Sequence, residues 1–135
     1  MQQAHSQADG YGRHRHLYLQ GTMRHLHTGL ARAREGEPVT WLDYGCGKGT
    51  FMEEIRALGL FDSITGYDPA VETFMRPPEG PFDLVTCLDV IDVTEERFRP
   101  ALIKAVARLT RGVSLFDCIT RHKPDSPLRS HPAFF

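Results

Sequence analysis

Apolar positions along this chain change their spacing several times, and each change marks an element. Between residues 14 and 33, Leu17, Leu19, Met23, Leu26, Leu30 and Ala33 recur at mostly helical intervals, broken by Gly21 and Gly29, so one or two helices are expected. Residues 39–44 are β-branched and aromatic and run into Gly45, Gly47 and Gly49. The following Thr50-Phe51-Met52-Glu53 has the form of a capping box, which predicts a strand, a tight turn and a helix in succession. That helix places Phe51, Ile55 and Leu58 on one face and ends near Gly59, where a left-handed cap is expected. Residues 63–67 predict a second strand, 82–89 a third and 113–120 a fourth. The proline-rich interval 69–81 reads as loop, with a short strand or helical turn around 71–75. Thr94, Glu95 and Glu96 resemble a helix start, and Ala101, Leu102, Ala105, Val106 and Leu109 form its buried face up to Gly112.

Strands alternating with helices form βαβ units, which require a mostly parallel sheet with helices on both faces. An α/β fold is therefore predicted. In such sheets ligands bind at the carboxyl ends of the strands, near the point where strand order reverses. The glycine turn, Asp68, Asp89 and Asp117 all fall at predicted carboxyl ends. Residues 13–120 read as one domain with an N-terminal helical lid, 1–12 as a polar, flexible N-terminus and 121–135 as an irregular, proline-rich tail.

Composition narrows the function classes. A chain of 135 residues suits one core and one site. Its formal charge of −1 lacks the positive excess that neutralises a nucleic acid, and the basic groups at 13–16 and 121–123 read as solvated ends. No run approaches the roughly 18 apolar residues of a membrane span, and no signal peptide is visible. Cys46, Cys87 and Cys118 are widely spaced and offer no disulfide framework or zinc motif, so a cytoplasmic location is expected. The pairs His14/His16 and His25/His27 stand two residues apart, on different faces of a helix, with no Cys or carboxylate to complete a set. No metal site is expected.

Asp43-Tyr44-Gly45-Cys46-Gly47-Lys48-Gly49 carries the chemistry. Glycines admit a ligand close to the backbone, and an acidic residue about twenty positions on, at the end of the next strand, accepts hydrogen bonds from ribose hydroxyls. Asp68 stands at that place. With Gly66-Tyr67-Asp68-Pro69 and the stretch Pro81 to Val90, the chain resembles a class I S-adenosylmethionine-dependent methyltransferase across residues 39–120, with a Rossmann-like fold. The resemblance implies S-adenosyl-L-methionine as cofactor and S-adenosylhomocysteine as product. It implies that Asp43 lies near the methionine amino group and that Tyr44, Gly45, Cys46, Gly47 and Gly49 border nucleoside and methionine. Asp68 would hold the ribose, with Tyr67 and Pro69 beside it among the cofactor-binding residues, and Leu88 and Asp89 would border the methionine moiety and the reacting centre. Cys46 is expected to be a small filler of the turn rather than a nucleophile.

The chain departs from the family pattern in three places. Where many members continue with Glu-His it reads Asp92-Val93, so the usual His is missing. The interval after Asp68 offers only Glu72 and Glu79 for an adenine contact. The C-terminal hairpin of the family has no counterpart, which implies a fragment, a natural miniature, or a homo-oligomer covering the open sheet edge. Asp89, Asp92, Tyr18 and His14 are the candidate catalytic groups, with Tyr11 and His16 as further members of a lid. Methyl transfer depends mainly on alignment and needs a base only where the nucleophile must lose a proton. The expected function is methyl transfer to the oxygen, nitrogen or carbon of a small molecule. Alternatives are intramolecular cyclisation or lyase chemistry yielding methylthioadenosine, and a non-catalytic binding module or partner subunit.

Overall fold

The computed structural model describes residues 2–117, and for 2–16 the backbone course only. Cys118, the expected strand end at Thr120 and the tail 121–135 lie outside the described residues. Helix α1 (Gln2–Ala33) leads into β1 (Thr40–Tyr44), α2 (Thr50–Arg56), β2 (Ser63–Tyr67), β3 (Phe82–Leu88), α3 (Arg99–Arg108) and β4 (Thr110–Asp117). Short 3-10 turns occupy Glu72–Phe74 and Glu96–Phe98. The strands lie in the order β2-β1-β3-β4, and every pairing is parallel. This is the α/β, Rossmann-like architecture that the alternation of elements predicts.

Strand periodicity sorts the core into two layers. Trp41 and Leu84 face α1 and α2, packing with Met23, Leu30, Met52 and Ile55. Leu42, Tyr44, Val85 and Cys87 face α3, packing with Leu102 and Val106. The chain leaves β1 for β2 on one side and returns to β3 on the other, so strand order reverses between β1 and β3. The carboxyl ends of these two strands frame the crevice where such folds bind ligands.

Local details differ from the sequence-based expectations in four places. Helix α1 begins at Gln2 rather than near His14, within the segment expected to be flexible; 2–12 holds no proline, and a helix already packed at Leu19 and Met23 extends one residue at a time. The cap of α2 is Gly49 in a left-handed conformation (φ 87°), not Thr50, and no side chain caps the helix. Glu53 pairs instead with Arg56 at 3.3 Å, so no capping box forms. Helix α3 starts at Arg99, where Pro100 suits the first turn, while the Thr94 hydroxyl donates to the Val90 carbonyl within the preceding turn (2.5 Å). Gly112, expected to end that helix, lies inside β4, where a Cβ would sit 2.2 Å from the Asp83 carbonyl oxygen. Close strand approach, not helix termination, requires the glycine.

Asp83 clasps the amino-terminal edge of the sheet. Its carboxylate, 1% exposed, accepts the Thr40 N–H (2.8 Å) and Thr40 Oγ1 (3.2 Å) from β1, and Arg111 Nε from β4 (2.7 Å). Arg34 Nε, just after α1, lies 3.3 Å away. Burial pushes the Asp83 pKa up, but hydrogen bonds from Arg111 and Thr40 outweigh it and hold the group below the usual carboxylate value. One side chain thus fixes three strands and the end of α1, leaving the opposite edge to the site.

Candidate functional site

The turn after β1 is tied to β2 by its backbone. Gly45 N–H (2.7 Å) and Cys46 N–H (3.1 Å) both donate to the Tyr67 carbonyl, the last of β2. Gly47 N–H donates to Asp68 Oδ2 at 2.9 Å, and Gly49 N–H to the Cys46 carbonyl at 3.1 Å. Gly45, Gly47 and Gly49 have φ of 88°, 58° and 87°, a region costly for residues with a Cβ. An added Cβ at Gly47 would meet nothing within 4 Å, so the backbone there faces open space. Asp68, 3% exposed, is held from several sides: Oδ1 accepts Ala70 N–H (3.0 Å) and its own N–H donates to the Phe74 carbonyl (2.9 Å).

Asp43 is oriented from inside the sheet. The Trp41 indole N–H donates to Thr86 Oγ1 (2.8 Å), whose hydroxyl donates to Asp43 Oδ1 (2.8 Å). Asp43 and Thr86 are direct partners in the β1–β3 ladder, and Trp41, Asp43 and Thr86 are all buried. At the end of β3, Leu88 is followed by Asp89 with φ 58°, left-handed backbone that Asp tolerates better than most residues. Asp89 N–H donates to the Asp117 carbonyl at the end of β4 (3.1 Å). Three residues further, both carboxylate oxygens of Asp92 are buried and have no hydrogen-bond partner. The structure therefore gathers Asp43, Gly45, Gly47, Gly49, Asp68 and Asp89 along one sheet edge, with Asp92 in the loop just beyond it.

A family model described as a methyltransferase domain matches residues 11–128. The chain belongs to this family. No curated protein and no solved structure matches it. The match and the Rossmann-like sheet together bear out the resemblance to class I S-adenosylmethionine-dependent methyltransferases.

Not every expected residue meets the turn of this methyltransferase domain through its side chain. Tyr67 contributes its backbone carbonyl, while its ring and that of Tyr44 lie tilted at 48°, with centroids 5.1 Å apart, in the apolar layer under α3. Burial first, then Tyr67 and Cys87, raises the Tyr44 hydroxyl pKa far above its ordinary value. The Tyr67 pKa is raised by burial and by Asp68. The Cys46 thiol packs in the layer facing α2, and Pro69 follows Asp68 into the next turn. Tyr18 is 74% exposed on α1, while the side chains of Tyr11, His14 and His16 lie outside the described residues.

Glu72 opens a 3-10 turn, and Glu79 borders a groove of about 270 Å³ with Thr65, Gly66, Thr73 and Arg76 along the outer side of β2. A second groove, about 350 Å³, lies between Pro77-Pro78 and α3 over the two tyrosine rings. Among the described residues, no group of three or more His, Cys, Asp or Glu is placed to hold a metal ion, and no helix is long and apolar enough to cross a membrane. Sequence reasoning missed Trp41 and Thr86 as supports of Asp43. The available signal was a threonine in the otherwise apolar middle of the 82–88 strand.

Proposed function

We propose that this methyltransferase domain binds S-adenosyl-L-methionine across the glycine turn and transfers its methyl group to a small-molecule acceptor. The observation that carries the reading is the bond between Gly47 N–H and Asp68 Oδ2 (2.9 Å), which joins the turn to the acid at the end of the neighbouring strand. The residues present fit the cofactor. Gly47 leaves open space beside the backbone, and Asp43, Asp68 and Asp89 set negative charge along an edge suited to a ligand carrying a sulfonium and an ammonium. Asp68 would hold the ribose, the turn would face nucleoside and methionine, and Asp43, fixed by Thr86, would lie near the amino group. Bound there, the cofactor supplies a methyl group already activated by positive sulfur.

The chain's own contribution is positioning. The Asp83 clasp and the Trp41-Thr86-Asp43 relay hold β1 and β3 in register, so the groups at their carboxyl ends are placed before a ligand arrives. A small acceptor suits a chain of charge −1, which lacks the footprint of a nucleic-acid binder. Cys46 and Cys87, held as thiols rather than in a disulfide, suit the reducing cytoplasm.

Titration calorimetry with S-adenosyl-L-methionine, followed by mass spectrometry of the mixture, tests the reading. Asp68→Ala is expected to weaken binding by about 1–3 kcal/mol, because a buried charged acceptor is lost. Unchanged affinity would refute the ribose assignment. Methylthioadenosine formed without any acceptor would replace methyl transfer by intramolecular chemistry.

A further inference from the structure

Asp68 stands just past the end of β2, which has a neighbour on one side only among the described strands. The segment that follows braces the acid by folding back onto it. Val71 N–H donates to the Asp68 carbonyl (3.1 Å), Phe74 N–H to the Val71 carbonyl (2.8 Å), and Asp68 N–H to the Phe74 carbonyl (2.9 Å), closing a loop through the 3-10 turn Glu72–Phe74. The loop begins on Asp68 and ends on Phe74. The Phe74 ring then reaches the glycine turn: a Cβ built on Gly49 would stand 3.1 Å from Phe74 Cζ and 3.1 Å from Met52 Cε, closer than ordinary contact. Met52, itself buried, also lies so near β2 that a Cβ on Gly66 would stand 2.5 Å from its Cε. Phe74 and Met52 thus fill the gap between the start of α2 and the end of β2, with a glycine on each side where no side chain would fit.

We infer that Phe74 is a positioning residue for the cofactor ribose: its backbone holds Asp68, its ring bears on Gly49, and one side chain so sets the spacing between the acid and the turn. This rests on the cofactor reading proposed above. The bond from Gly47 N–H to Asp68 Oδ2 spans the same gap, but a hydrogen bond tolerates a broad range of angles, whereas close packing does not. Without the ring, the loop and the turn relax separately into the space it leaves. The ribose hydroxyls donate to a carboxylate in a fixed place, and a misplacement of about 1 Å is enough to lose much of what such a contact contributes. The adenine and methionine contacts do not run through Phe74, so its removal falls on the hydroxyls.

The test compares S-adenosylhomocysteine with its 2′,3′-dideoxy analogue by titration calorimetry on the full chain, as wild type, Phe74→Ala, Phe74→Leu and Phe74→Tyr. The two ligands differ only in the hydroxyls. Wild type is expected to bind S-adenosylhomocysteine about tenfold or more tightly than the analogue, since hydrogen bonds to a charged acceptor are lost in the latter. Phe74→Ala is expected to lose most of that preference while still binding the analogue, and Phe74→Tyr, which keeps the ring, to retain it. Phe74→Leu, which keeps apolar bulk, carries the test where the alanine variant does not fold. A general loosening of the fold weakens both ligands alike, so an unchanged preference in Phe74→Ala, or in Phe74→Leu in its place, makes the ring a core residue only and overturns the inference. Failure of both variants to fold does the same. The two levels separate in wild type: a preference there that survives the substitution overturns Phe74 alone, whereas no binding, or equal binding of both ligands, overturns the ribose assignment to Asp68 and the positioning with it.

Discussion

Replacing Gly112 by alanine tests how closely β3 and β4 approach. The new Cβ would stand 2.2 Å from the Asp83 carbonyl oxygen and 2.9 Å from Leu30 Cδ2. Carbon and oxygen sit comfortably at about 3.3 Å or more, so one strand must move by roughly 1 Å. Leu30 can rotate its terminal methyl aside. The Asp83 backbone cannot yield as easily, because its N–H donates to Thr40 Oγ1 (3.2 Å) and its side chain is clasped by Thr40 and Arg111. Overpacking of this kind costs about 1–3 kcal/mol, and the stiffer unfolded chain returns only about 0.4–1 kcal/mol. Gly112→Ala is therefore expected to destabilise the fold by about 1–2 kcal/mol. Gly21→Ala and Gly29→Ala carry the opposite sign: nothing lies within 4 Å of either new methyl, and each is expected to stabilise α1 by about 0.5–1 kcal/mol. Urea unfolding reports all three through Trp41, the one tryptophan, which is fully buried. A Gly112→Ala chain as stable as wild type would refute the close approach.

Asp83 predicts an acid limb of stability. Its pKa is lowered on folding from the usual 3.8, so its contribution is present above that value and is lost as pH falls through the lower folded pKa. Asp83→Asn should be less stable at neutral pH and lose stability less steeply below about pH 4, which urea midpoints across pH would show. Thr86→Val removes the acceptor of the Trp41 indole N–H and a donor to Asp43. A loss of about 1–3 kcal/mol is expected, together with a changed Trp41 emission. An unaltered spectrum and stability would mean the relay contributes nothing.

Strands were the most legible part of the chain. Residues 63–67 and 39–44 declare themselves by β-branched and aromatic side chains bounded by glycine or acid, and β2 and β1 fall there. Helix ends were less legible, because a cap is decided by backbone geometry at the turn. Thr50 and Thr94 have the right chemistry for caps, but left-handed Gly49 and the Pro100 start set the boundaries. Gly112 reads as a stop signal in either role, since sequence alone cannot distinguish a helix end from a crowded strand. At the site, Asp43 and Asp68 stood out through local spacing from the glycines. Trp41 and Thr86 did not, because only the β1–β3 register brings them together. The isolation of Asp92 depends on how its loop folds over it, which spacing does not encode.

Three amide hydrogens of the glycine turn, those of Gly45, Cys46 and Gly47, end on residues at the close of β2. Among the described strands β2 is one of the two outer ones, with β4 at the other edge, and is paired on one side only; outer strands are the first to open in native-state fluctuations. The cradle has no independent existence: each time the rim strand peels away, the turn loses its anchors with it. Hydrogen exchange at these three amides should therefore keep pace with β2 rather than with the central strands, and whatever occupies the turn should slow the breathing of the whole rim.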